Sequence, residues 1–195
     1  MSVDIKHVSA LRNRTGAGMM DAKKALEQAN GDMEKAVEIL RKSGAAKAAK
    51  KADRISKEGL VESYIHANGK VGTMIVLNCE TDFVARNEKF RALAKDLAMH
   101  VAASNPEYLR IEDIPADILA KEKEIYMDQA RGQGKPEAML AKIADGMLQK
   151  FYADRVLLKQ PFVKDDSKTV EEMIQNAVAV MGEKIELTKF SRFTL

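Results

Sequence analysis

Apolar residues recur three and four apart through the first 43 positions, the spacing that places them on one face of a helix. Ile5, Val8 and Leu11 make such a stripe over 3–14, with Ser2 placed as an N-cap. Thr15-Gly16-Ala17-Gly18 interrupts it. A second helix follows from about Met20 to Ala29, with Ala22, Ala25, Leu26 and Ala29 inward, and Asn30-Gly31 stops it. Asp32 caps a third helix, with Met33, Ala36, Val37 and Leu40 inward and Ser43-Gly44 at its end. Three short helices predict a compact bundle near the lower size limit for folding alone. From Ala45 to Arg54 the alanines and lysines favour helix without an apolar period, so an exposed helical linker is expected.

The pattern then turns strand-like. Leu60–Ala67 and Val71–Cys79 flank Asn68-Gly69, a pair suited to the positive φ of a two-residue turn, and so predict a β-hairpin. The second run is nearly continuously apolar and reads as a central strand. Phe90, Leu93, Ala94, Leu97, Ala98 and Val101 restore helical spacing over 87–103, closed by Asn105-Pro106. Pro115 opens a charged helix over 116–131, Gly132-Gln133-Gly134-Lys135-Pro136 breaks it, and a second helix carries Met139, Ile143 and Met147. The pair predicts an antiparallel helical hairpin over about 116–150.

Residues 151–166 read as a loop with short turns. A last helix starts near Ser167, with Thr169 and Glu172 spaced as a capping box, and ends at Gly182. Ile185–Leu195 returns to a strand beside the hairpin. The class is α+β: a three-helix domain over 1–44, a basic linker over 45–56 and a core over 57–195.

Composition changes little in that picture. Of 195 residues, 46% are hydrophobic and 31% charged, ordinary for a soluble globular chain. A net charge of +3 is too small to argue for nucleic acid. Residues 1–54 nonetheless hold 12 basic against 7 acidic side chains, mainly through Arg41-Lys42, Lys47, Lys50-Lys51 and Arg54. A solvated helix face is the plain role of such a run. An RNA- or ribosome-binding adaptor is the alternative function it keeps open, without aromatics for base stacking. Cys79 is alone, which excludes an intrachain disulfide and fits a reducing compartment. No apolar run approaches the roughly 18 residues of a membrane span, nor does the N-terminus have a signal-peptide core, so a cytoplasmic protein with no membrane partner is expected.

Candidate chemistry is sparse. Three scattered histidines and one cysteine give no metal-ligand cluster and no Cys/His pair at suggestive spacing, and Gly-x-Ser-x-Gly is absent. No catalytic residue, metal or cofactor is therefore expected. Glycines precede a helix at Thr15-Gly16-Ala17-Gly18-Met19-Met20, but neither phosphate-loop spacing is met. Adjacent residues on a helix point in different directions, so at least one of Met19 and Met20 should be exposed. His100, in Ala98-Met99-His100-Val101-Ala102-Ala103, reads first as a packed, hydrogen-bonded histidine. At Thr81-Asp82-Phe83-Val84, Thr or Asp could cap the following helix and Phe83 could be its first core residue. The same pair of acid and aromatic suits a probe pushed into a partner.

Two segments in this order, Thr15-Gly16-Ala17-Gly18-Met19-Met20-Asp21-Ala22-Lys23-Lys24 and Asn78-Cys79-Glu80-Thr81-Asp82-Phe83-Val84-Ala85-Arg86-Asn87, make the chain resemble the elongation factor Ts family over nearly its whole length. The resemblance implies a ubiquitin-associated-type bundle and a guanine nucleotide exchange factor. Its partner would be elongation factor Tu, in GDP-bound and nucleotide-free forms, with no direct nucleic-acid contact. It implies that Phe83 wedges between partner side chains, with Asp82 its polar neighbour and Thr81 and Val84 positioning the tip, while the partner's site loses Mg²⁺. Arg12, Met19 and Met20 would contact a helix of the partner's nucleotide domain, and His100 would be a weaker contact. Many family members have a longer core of two similar halves. Here one hairpin and one late strand leave a sheet edge unpaired, so a homodimer is expected to replace the missing half.

Overall fold

The computed structural model describes residues 4–195, so the Ser2 cap lies outside the described residues. Helix α1 spans Ile5–Thr15, and Asp4 caps it, accepting from the Lys6 N–H at 2.9 Å. With α2 (Met19–Gln28) and α3 (Met33–Ala49) it encloses a core of Val8, Leu11, Ala22, Ala25, Leu26, Ala29 and Ala36. Ile5 shares the spacing of Val8 and Leu11 but is exposed, because it sits in the first turn and the bundle core begins one turn later.

Ser43-Gly44 does not end α3, contrary to the expectation from its glycine. Gly44 is buried, and a Cβ there would lie 3.4 Å from Asn176 Oδ1 and 3.8 Å from the Ala179 Cβ. The glycine serves close approach of α3 to the helix that carries those residues. Good helix formers then carry α3 on to Ala49, into the stretch expected as linker.

Twelve further elements follow among the described residues, two of them 3₁₀ turns. They begin with β1 (Glu58–Ile65), β2 (Val71–Cys79), α4 (Asp82–Ala85) and α5 (Glu88–Ser104). The hairpin helices are α6 (Ala116–Gly132) and α7 (Glu137–Arg155), and the chain closes with β3 (Pro161–Phe162), β4 (Asp165–Thr169), α8 (Val170–Met181) and β5 (Ile185–Thr194). The class is α+β. A small antiparallel sheet has the order β1-β2-β5, so the apolar run is the central strand and β5 pairs within its own chain. The hairpin turn is wider than expected. His66 N–H bonds Val71 O, Gly69 N–H bonds His66 O at 2.8 Å, and only Gly69 takes positive φ, at 68°. Four residues close the loop where the Asn-Gly pair suggested two.

By compactness the chain divides into two units. The first holds residues up to 62, 75–96 and 171–188; the second holds 63–74, 97–170 and 189–195. The first unit contains the bundle, α4, and buried Ile75, Leu77, Cys79, Phe90, Leu93, Ile185 and Leu187. The parts of β1 and β2 in this unit run so close that a Cβ on Gly59 would lie 2.2 Å from Leu77 O.

The second unit is built on Leu97, Ala98, Val101, Val156, Leu157, Phe162 and Val170, all buried. Its helical hairpin buries Ala130, Leu140, Ala144 and Leu148, and Lys123 pairs with Asp145 at 2.7 Å. Met139 is exposed; the buried stripe of α7 runs one residue further along. The expected loop over 151–166 is more ordered: α7 continues to Arg155, a 3₁₀ turn occupies Leu157–Lys159, and β3 pairs with β4.

His100 is fully buried in this unit. Its Nδ1 accepts the Val163 N–H at 3.2 Å, which leaves the proton on Nε2, 3.0 Å from Gln160 Oε1. Gln160 is fixed in turn, donating to Asp154 O at 2.8 Å and Ser104 O at 3.3 Å. Burial holds the imidazole below its ordinary value of 6.5, with the Gln160 bond opposing. The unfolded chain therefore binds a proton that the folded chain refuses once pH drops below about 6.5, and stability falls with pH in that window. We expect the urea midpoint to decline between about pH 7 and pH 5, and His100→Gln to flatten that decline.

Candidate functional site

A strand ending in buried Cys79 and a helix beginning at Glu88 leave a short corner between them, and α4 fills it with a single turn. Thr81 is its N-cap: φ −128° and ψ 156° are extended, and Oγ1 accepts the Val84 N–H at 3.4 Å. Asp82 pairs with Arg86 at 3.0 Å one turn on. Ala85 is buried and seats the turn, while Val84 is half-buried. Phe83 points away from all of this and is 80% exposed. A phenylalanine left so bare gains nothing from its own fold, since burial is what gives an aromatic ring its stabilising effect.

The corner is held from far along the chain. Glu183 Oε2 accepts the N–H groups of Glu80 and Thr81 at 3.1 and 3.0 Å, and Oε1 accepts the Thr81 hydroxyl at 2.7 Å. Glu80 returns the contact, accepting the Lys184 N–H at 2.5 Å and pairing with Arg54 at 3.4 Å. The Lys184 N–H first, then the Arg54 charge, keep the Glu80 carboxyl below the usual range, so it stays ionised. The sequence places Arg54 only in a basic run and Glu80 only within the segment that carries the resemblance, and it does not single out Glu183. Partners a hundred positions apart leave no local periodicity to read; the only hint is Glu183 directly after the helix stop at Gly182.

Cys79 donates its thiol to Thr81 O at 3.1 Å. Burial, with the Glu183 charge behind it, pushes the thiol up to about 11, so it is a neutral packing group rather than a nucleophile.

Arg12, Met19 and Met20 belong to the bundle. Arg12 is exposed in the last turn of α1, and the next helix opens with Met19 at 46% and Met20 at 63% exposure. Lys47 braces the opening of α2 through Asp21 at 2.7 Å. Corner and bundle both lie in the first unit. His100 lies in the second, with both ring nitrogens occupied inside it, so a direct contact would require it to leave that network.

Among the described residues no group of three His, Cys, Asp or Glu is arranged to hold a metal, and no helix is long and apolar enough to cross a membrane. What the corner offers is shape: a bare ring on a braced turn, flanked by one carboxylate.

Comparison with known proteins gives one consistent result. The family described as elongation factor TS matches residues 8–195. Elongation factor Ts of Moorella thermoacetica is 57% identical over 186 residues, covering 95% of this chain and 92% of that protein. Elongation factor Ts of Fervidobacterium nodosum is 52% identical over 195 residues, 100% of this chain and 99% of the relative. That of Geobacter sulfurreducens is also 52% identical, over 195 residues and 90% of its length.

Proposed function

Because the chain belongs to the elongation factor Ts family of translation elongation factors, we propose that it binds elongation factor Tu carrying GDP and drives GDP out by mechanical displacement. The observation that carries this reading is the 80% exposure of Phe83 on a turn held by Thr81 and Glu183. Phe83 enters the partner's nucleotide domain as a wedge, Asp82 stands beside it, and Thr81 and Val84 set the tip. Mg²⁺ tolerates little departure from octahedral geometry at about 2.0–2.1 Å, so a small displacement of the partner's side chains weakens ion and nucleotide together. No bond is made or broken, and exchange needs no catalytic residue in this chain.

Arg12, Met19 and Met20 supply the second contact, two adaptable thioether side chains beside a cation. The factor then holds the nucleotide-free partner until GTP returns. Coupling is reciprocal: by whatever factor this protein weakens GDP binding, GDP weakens its own binding. The same reading makes the factor a homodimer, supported by a three-stranded sheet whose outer strands β1 and β5 each pair on one side only.

Sizing chromatography with elongation factor Tu tests the partner. Co-elution that excess GDP disrupts is the expected result, and separate elution in the absence of nucleotide would remove the proposal.

A further inference from the structure

The geometry points to Glu183 as a positioning residue for exchange, one that fixes the corner from which Phe83 projects. This rests on the proposed role of Phe83. The N–H groups of Glu80 and Thr81 fall after β2 and before α4, outside both elements, and one carboxylate oxygen takes both of them. Its other oxygen takes the Thr81 hydroxyl, the same hydroxyl that caps α4 through Val84. A single helical turn has no stability of its own, so its direction is the direction of its base. Phe83 cannot hold itself by packing, being 80% exposed.

The clamp is reciprocal. Lys184 N–H, next to Glu183, bonds the Glu80 carboxylate, so residues 80–81 and 183–184 grip each other in both senses. Hydrogen bonds to an ionised carboxylate are roughly twice as strong as neutral ones. A wedge that pushes side chains apart is pushed back equally, and this clamp is what resists. Without it the tip still meets the partner but yields.

The test is the release of fluorescent GDP from elongation factor Tu over a range of concentrations of the full chain. We compare wild type, Phe83→Ala, Glu183→Ala, Glu183→Gln and the Phe83→Ala/Glu183→Ala double variant. Glu183→Ala is expected to lower the saturating rate about tenfold while the half-saturating concentration moves less than about twofold. Glu183→Gln recovers most of the rate, because its amide oxygen still accepts the two N–H groups and its amide nitrogen can donate to Thr81 Oγ1. The double variant matches Phe83→Ala alone, as expected for two residues acting as one unit.

A wild-type rate for Glu183→Ala beside a slow Phe83→Ala overturns the inference and leaves the wedge standing. So does equal loss in the Ala and Gln variants, additive loss in the double, or a change confined to half-saturation. If Phe83→Ala is itself as fast as wild type, wedge and clamp fall together. Glu183→Asp, one methylene short, addresses the case of an Ala variant that does not fold: an intermediate rate is expected, and a wild-type rate overturns the inference.

Discussion

Phe83→Ala reduces the saturating rate of GDP release from elongation factor Tu by about 30-fold or more, the loss typical of a buried aromatic anchor at an interface. The same substitution leaves folding within about ±0.5 kcal/mol of wild type, because a ring 80% exposed removes little from the protein's own core. That dissociation of effects is the diagnostic part. A core phenylalanine such as Phe90, fully buried, would lose about 3–5 kcal/mol on truncation and take activity with it through unfolding. Phe83→Leu keeps much of the volume and retains an intermediate rate. Stopped-flow release at saturating factor, alongside thermal melts of each variant, separates the two cases. An unchanged release rate for Phe83→Ala would remove the wedge from the mechanism.

Gly59→Ala destabilises the fold by roughly 3–5 kcal/mol, combining backbone strain with overpacking. At φ +144° the backbone is one that L side chains avoid, and the added Cβ would lie 2.2 Å from Leu77 O and 2.8 Å from Asn78 Cα. Neither neighbour is a flexible side chain, so β1 must lift away from β2. The Asn78 Nδ2–Glu58 O bond at 3.2 Å, beside the clash, is lost with it. Gly146→Ala is the matched control. It lies in the exposed interior of α7 with nothing within 4 Å of its Cβ, so it should stabilise by about 0.5–1 kcal/mol. Denaturant midpoints for the two variants, moving in opposite directions, check the pair. A neutral Gly59→Ala would mean that the two strands have room to part.

Much of this architecture is written in local patterns. The bundle, the hairpin strands, α5 and the last strand all follow from period, caps and turn residues, because each buries a face that its own spacing defines. Glycine was the less faithful guide. Gly44 looks like a helix stop in sequence but serves helix contact, and Gly69 sits in a longer turn than its Asn-Gly pair suggested. Residues 151–166 look loop-like because β3 and β4 are very short and interrupted by polar residues. At the corner, spacing alone left Phe83 open between core and probe, and only exposure in three dimensions separates those roles. The Glu183 clamp left only the hint of an acid after the Gly182 stop, since it joins carboxylates to backbone groups a hundred positions away.

The seating of α3 on α8 at Gly44, with Lys51 reaching the Gly182 carbonyl, has a consequence for affinity. Bundle and corner are lobes of one unit, so on the proposed reading they grip elongation factor Tu as a bidentate ligand. Once either lobe lands, the other meets its target at an effective concentration set by a stiff strut rather than by a wandering tether. Two weak handholds thus combine into firm capture, yet each can let go separately.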